Sequence, residues 1–123
     1  MKKKILVIDD DPIFTRLVSH NLAIQGYDII SASNGDEGIN LARDKQPDLI
    51  VLDLVLPGID GWEVYKKLTR SHQIPIIIIT AVSNLASIYS QNDGMEEPAY
   101  VISKPFIPSE LINMINTIFF ERA

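Results

Sequence analysis

Eight consecutive positions, Leu49 to Leu56, are apolar except for one aspartate, Asp53. The run is closed by Pro57-Gly58 and reads as a strand buried on both faces, the kind found in parallel sheets. A carboxylate inside such a strand is expensive unless it stands at the strand's end or has a partner. The strand is therefore expected to stop at Asp53 and to offer the carboxylate at the sheet's C-terminal edge. In open α/β sheets that edge is where ligands bind. A plainer reading, in which Asp53 only caps a loop, loses weight once the rest of the chain is read.

Ile5-Leu-Val-Ile8 is a first short strand, ending at Asp9-Asp10-Asp11-Pro12. Asp11 suits an N-cap and Pro12 the first helical position. Ile13, Leu17 and Ile24, with Phe14, Val18 and Leu22 alongside, give an apolar face at helical spacing, and Gly26 ends the helix. Asp28 to Ala32 is a weaker strand. Asn34 and Glu37 form a capping-box pattern for a helix with Ile39 and Ala42 inside. Gly38 within that helix costs about 1 kcal/mol relative to alanine, so its stability must come from packing. Asp60 caps a helix carrying Val64, Tyr65 and Leu68, with Glu63 and Lys67 at pairing distance outside. Pro75 to Thr80 is a second fully apolar strand with a polar end. Residues 82–95 carry a weak helical pattern (Leu85, Ile88, Tyr89) and then the turn signal Asn92-Asp93-Gly94. Tyr100 to Ser103 is the last strand. Pro108 opens a final helix with Leu111, Ile115, Ile118 and Phe119 on one face, which leaves Phe119-Phe120 open between core and cap. Five strands alternating with five helices predict right-handed crossovers and a parallel sheet covered on both faces.

In such a sheet the C-terminal strand ends converge, so Asp9, Asp10, Asp53, Thr80 and Lys104 should share one site. Singly, each has a blander reading: Thr80 as a strand-end hydroxyl bonded to backbone, Lys104 as a surface charge, Asp11 as a cap. Together, three carboxylates repel and hold protons unless a cation neutralises them. The chain has no cysteine, and His20 and His72 fall in helical stretches away from the strand ends. Hard oxygen ligands then select Mg²⁺ or a similar ion over zinc. A lysine and a threonine beside such an ion suit the remaining oxygens of a phosphoryl group, and a carboxylate is a known phosphoryl acceptor. The residues thus read as a Mg²⁺-dependent phosphorylation site on an aspartate.

The stretches Ile5-Leu-Val-Ile-Asp-Asp-Asp-Pro12, Asp48 to Gly61, Ile78-Ile-Thr-Ala81 and Lys104-Pro-Phe106, in this order, resemble the receiver domain of bacterial response regulators. The likeness covers essentially residues 1–123 as a single receiver domain. It implies a flavodoxin-like, doubly wound sheet of order 2-1-3-4-5. It implies Asp53 as phospho-acceptor, Asp9, Asp10, Asp53 and the Val55 backbone carbonyl around Mg²⁺ (or Mn²⁺), and Thr80 and Lys104 on phosphoryl oxygens. It also implies a cis Lys104-Pro105 peptide. The donor would be a phosphohistidine on a sensor histidine kinase or phosphotransfer protein. The domain would assist its own phosphorylation and dephosphorylation without being a dedicated enzyme. Output would reach a downstream protein or an effector domain outside this segment, and a homodimer through the last strand and helices is one arrangement the resemblance allows.

The sequence departs from that pattern at the switch. The family's aromatic stands three positions before the lysine, which here is Val101, while Tyr100 lies one earlier and should face the opposite side of the sheet. The stretch from Thr80 to Lys104 is also slightly long, and Met95-Glu-Glu-Pro98 replaces the small-residue turn before the last strand, so the fourth helix and its loop, within 82–98, are expected to be irregular, shortened or mobile. Val55 and Val82, two positions after the acceptor and the threonine, are apolar and should slow hydrolysis. A haloacid-dehalogenase-type phosphatase would need an aspartate at position 55, and a flavin module a phosphate loop without three aspartates. A degenerate receiver serving only as a protein-binding platform is the remaining alternative. The net charge of −5 argues against direct nucleic-acid binding by this segment. No apolar run reaches the roughly 20 residues of a membrane span, and the expected location is cytoplasmic.

Overall fold

The computed structural model describes residues 2–81 and 98–121. Five strands, β1 (Lys4–Ile8), β2 (Asp28–Ala32), β3 (Leu49–Asp53), β4 (Ile76–Thr80) and β5 (Tyr100–Ser103), form one parallel sheet of order β2-β1-β3-β4-β5. Every residue of β3 and β4 is buried, as their unbroken apolar sequences require of central strands. Register at the entry side is set by a two-way clamp. Asp48 N–H donates to the Lys4 carbonyl (2.7 Å), and Lys4 N–H donates to Asp48 Oδ2 (2.8 Å). That clamp aligns Ile8 with Leu52, so the residues that follow each strand emerge side by side.

The described residues hold four helices: α1 (Pro12–Ile24), α2 (Gly35–Lys45), α3 (Gly61–Ser71) and α4 (Pro108–Glu121). The helix expected between β4 and β5, with its irregularity and Val82, lies outside the described residues. Alternation along each strand feeds two cores. Leu6, Ile8, Ile50, Leu52 and Ile78 face α2 and α3, where they meet Ala42, Val64 and Leu68. Ile5, Val7, Val51, Ile77 and Ile79 face α1 and α4, where they meet Val18, Leu22, Leu111, Ile115 and Ile118. A side chain as deeply buried as Leu22 contributes about 1.5–3 kcal/mol over its exposed state.

The expected helix starts are present. Asp11 accepts from the Ile13 and Phe14 N–H groups (3.0 and 3.3 Å), Asn34 from Glu37 N–H (2.9 Å), and Asp60 from Trp62 N–H (3.1 Å). Two glycines are explained by close approach. A Cβ on Gly38 would run into the Ile8 side chain, so the helix-interior glycine lets α2 sit down on β1. A Cβ on Gly61 would overlap the backbone of Leu54.

Two details differ from expectation, and a third settles a point left open. Ile13, Leu17 and Ile24 are exposed, and α1 buries Val18 and Leu22 instead. The six apolar residues wrap more of the helix than one sheet face can cover. Glu63 pairs with Lys66, one turn-neighbour short of Lys67, because both i+3 and i+4 lie within reach on a helix. Phe119 and Phe120 part company: Phe119 packs on Tyr27 (centroids 5.5 Å apart), while Phe120 is exposed.

Candidate functional site

Parallel strands carry their C-terminal ends to one edge, and backbone bonds extend the ladder one residue past each end. Asp9 N–H donates to the Ala32 carbonyl (3.0 Å), Leu54 N–H to Ile79 (3.3 Å) and Lys104 N–H to Thr80 (2.9 Å). These bonds fix the backbone from which Asp9, Asp53, Thr80 and Lys104 project. Asp9, Asp53 and Thr80 are buried to 3%, 5% and 1% exposure, and Asp10 is exposed beside them.

Lys104 Nζ bridges the two buried carboxylates, 3.1 Å from Asp9 Oδ2 and 3.0 Å from Asp53 Oδ2. The second oxygen of each accepts a backbone N–H, from Asp11 to Asp9 Oδ1 and from Val55 to Asp53 Oδ1, both at 2.9 Å. Both carboxylates are thereby oriented as well as placed. Burial pushes the Asp9 carboxyl above its ordinary range. The Asp11 N–H and Lys104 pull it down, and the Asp53 charge adds to the rise. For Lys104, burial works against the ammonium, but hydrogen bonds to Asp53 and Asp9 outweigh it and its pKa is raised.

Asp9, Asp10 and Asp53 each offer a carboxylate oxygen, and the three oxygens lie within 4.8 Å of one another. Two like charges at that separation repel by roughly 3 kcal/mol at an effective dielectric near 20. One ammonium against three carboxylates leaves the site short of positive charge. An all-oxygen, anionic, partly open donor set fits a small hard divalent cation. A groove of roughly 440 Å³ opens beside Asp9 and Asp10, with Thr15 and Arg16 in its wall.

Of the switch candidates, Thr80 stands at this edge, while Tyr100 and Val101 do not. Tyr100 and Val101 stand in register with Ile77 and Ile78, down the ladder from Thr80. Tyr100 packs with the α1–α4 core and Val101 with the α2–α3 core, the opposite faces that strand alternation requires. The Lys104-Pro105 peptide is cis. His20 lies on α1 and His72 at the C-cap of α3, neither in the cluster. Sequence reasoning missed the orienting N–H groups of Asp11 and Val55, which a residue-type pattern does not encode. Phe14 packs against the α1–α4 core, as its place on the apolar helix face implies, but its contact with Lys104 was also missed: the ring centroid lies 4.4 Å from Lys104 Nζ.

A family model described as the response regulator receiver domain matches residues 5–116. The chain is 40% identical over 119 residues to a probable transcriptional regulator, ycf27, of Porphyridium aerugineum, covering 95% of this chain and 48% of that protein. It is 38% identical over 120 residues to the alkaline phosphatase synthesis transcriptional regulatory protein PhoP of Bacillus subtilis, covering 96% and 49%. The chain thus spans about half the length of the curated relatives it matches. Among solved structures, the CheY-like response regulator receiver domain protein of Methanospirillum hungatei superposes with a TM-score of 0.88 at 27% identity, over 98% of this chain and 96% of that one. The sheet order and acidic strand-end centre are those of a doubly wound fold, and with the family match over residues 5–116 the chain belongs to the response regulator receiver domain family, a phospho-accepting signalling class. No helix among the described residues is long and apolar enough to cross a membrane.

Proposed function

We propose that Asp53 is the phospho-acceptor of this receiver, and that residues 1–123 act as one receiver unit in the cytoplasm. The observation that carries the reading is the shared ammonium. Lys104 Nζ stands between Asp53 and Asp9 at the edge where an acidic trio converges. In the transfer, an Asp53 oxygen attacks the phosphorus of a phosphohistidine on a sensor kinase or phosphotransfer protein. The new O–P bond forms as the P–N bond breaks, and the imidazole leaves and takes up a proton. The Val55 N–H holds one Asp53 oxygen, so the carboxylate enters the reaction already oriented. Lys104 turns from the Asp53 charge to an oxygen of the transferred group, and the Thr80 hydroxyl donates to another.

Asp9, Asp10 and Asp53, with the Val55 carbonyl, would hold Mg²⁺ or Mn²⁺. When bound, the ion supplies positive charge that offsets the carboxylates and the phosphoryl oxygens. Thr80 serves as the moving part of the switch, but Tyr100 and Val101 do not form the usual aromatic partner for it. Output then runs through another face, or through residues 82–98, to a downstream protein, an effector domain or a second copy.

Intact mass after incubation with phosphoramidate, with and without Mg²⁺, tests the proposal. One Mg²⁺-dependent phosphoryl adduct, absent in Asp53→Asn, is the expected result. A folded, Mg²⁺-binding protein that takes no adduct from phosphoramidate or from a phosphohistidine protein would overturn it and leave a phosphorylation-independent binding platform.

A further inference from the structure

Lys104 leaves the chain just beyond β5, on a four-carbon stem, its side chain about a quarter exposed. Of its two carboxylate partners, only Asp53 is converted when it is phosphorylated; Asp9 keeps its carboxylate and is also a candidate metal ligand. Asp9 is then the one carboxylate left to keep the ammonium in reach, and an uncharged contact beside it would steady the head while it changes partners. The structure supplies an aromatic face. The Phe14 ring centroid is 4.4 Å from Lys104 Nζ, within cation–π range. Phe14 meets Phe106 edge to face, with centroids 5.7 Å apart and planes at 79°. Phe106 follows Lys104 by two residues, so the ring is braced by the same loop that carries the lysine. On its other side, the Phe14 N–H donates to the Asp11 cap, and the Asp11 N–H donates to Asp9. The ring is thus tied through one helical turn to the carboxylate that Lys104 binds. A hollow of roughly 440 Å³, lined by Asp11, Phe14, Ala81, Lys104, Pro105 and Phe106, gives the ammonium room to swing.

We infer that Phe14 is a positioning residue for Lys104, an aromatic seat that holds the ammonium through the exchange of Asp53 for a phosphoryl oxygen. A carboxylate in that place would hold the head more tightly but would neutralise it and compete with the phosphoryl group. An aliphatic side chain would fill the space with no attraction for a charge. The ring quadrupole attracts the cation over a broad cone and leaves its N–H groups free to re-aim. The inference rests on the reading of Lys104 as a phosphoryl-contacting residue.

The test replaces Phe14 by phenylalanines bearing one, two and three ring fluorines, which drain the quadrupole at nearly constant shape, and by Phe14→Leu. Phosphoramidate-driven phosphorylation is timed, and the Lys104 Hε resonances are followed by NMR in the metal-free protein. The expected result is a stepwise slowing that reaches roughly three- to tenfold. It should come with an unchanged melting temperature across the fluorinated series and an upfield ring-current shift at Lys104 that disappears in Phe14→Leu. A flat rate across the series, with only Phe14→Leu slowed, would make the ring a space-filler and overturn the inference. Lys104→Ala is the parallel arm. If it phosphorylates as fast as wild type, the underlying reading of Lys104 fails. If it is slow while the fluorinated series is flat, only the role of Phe14 fails.

Discussion

At the acidic centre, Asp9, Asp53 and Thr80 are almost wholly buried and held by backbone N–H groups, a lysine and the sheet ladder. On β5, in the same sheet, Tyr100 and Val101 are only half-buried and face opposite layers. The two regions answer to different rules. A strand-end group is placed by where the strand stops, and Lys104 stays at the edge whatever precedes it. A mid-strand side chain is placed by parity, because an offset of one residue turns it to the other face. The offset that puts tyrosine at position 100 therefore leaves the chemical centre untouched and moves the aromatic out of the α2–α3 layer. Chemistry and readout can diverge within one sheet because their geometric requirements differ in kind.

The comparison is broken most severely by emptying the centre of its cation. Lys104→Met leaves two buried carboxylates facing each other, and removing one partner of such a set costs about 3 kcal/mol or more. Urea unfolding of the metal-free protein at neutral pH should show that loss, with Mg²⁺ restoring more stability to the variant than to wild type. A loss below about 1 kcal/mol that Mg²⁺ does not alter would mean the centre is less coupled than its geometry implies.

Asp9→Asn should act in the opposite direction and more weakly. Burial, reinforced by Asp53, raises the Asp9 pKa above its value of 3.8 in the unfolded chain. The native state then binds protons more readily than the unfolded one, so this group's contribution falls as pH rises from near 3.8 through the raised value. The substitution removes that penalty and should stabilise the metal-free protein at neutral pH by the order of 1 kcal/mol, while weakening Mg²⁺ binding. Lys104 shifts the other way. Its raised pKa contributes stability that is complete below about 10.5 and is lost as pH climbs through the folded value. Thermal melts across both windows separate the two groups.

Much of this was open to sequence reasoning because the relevant signals are positional. Asp53 ending an apolar run, Asp11-Pro12 opening a helix, and the polar residue after each strand are all statements about ends. The sheet order came with the family resemblance. What escaped was set by tertiary contact. The exposure of Ile13, Leu17 and Ile24 depends on how much of α1 the sheet can cover, which periodicity alone does not limit. The ring contact of Phe14 depends on a lysine 90 positions away, and the orienting bonds to Asp9 and Asp53 use main-chain N–H groups that every residue but proline carries. Gly38 looked like a local cost and is a packing device.

Val55 offers a milder perturbation of the centre. The residue is 58% exposed, two positions after Asp53, whose carboxylate its N–H holds. Val55→Ala should shorten the half-life of the phosphorylated form several-fold, followed by loss of the phosphoryl adduct in intact-mass spectra, with stability nearly unchanged. A longer half-life would remove Val55 as a screen against water.

The smallest effect is expected where the comparison is sharpest, on β5. Tyr100→Phe keeps the ring that packs with the α1–α4 core and deletes only a hydroxyl on a half-buried side chain, so phosphorylation rate and stability should stay close to wild type. The informative variant is the exchange Tyr100→Val with Val101→Tyr, which moves the aromatic by one residue and hence to the other face. If parity alone separates this receiver from the usual threonine–aromatic coupling, the exchanged tyrosine should change its NMR environment on phosphorylation, whereas wild-type Tyr100 should not. The phosphorylation rate should be nearly the same in both, because Lys104 and Asp53 are placed by strand ends that the exchange does not move. A wild-type Tyr100 that responds to phosphorylation as strongly as the exchanged one would collapse the distinction. Centre and edge would then be coupled through the body of β5 rather than divided by its alternation.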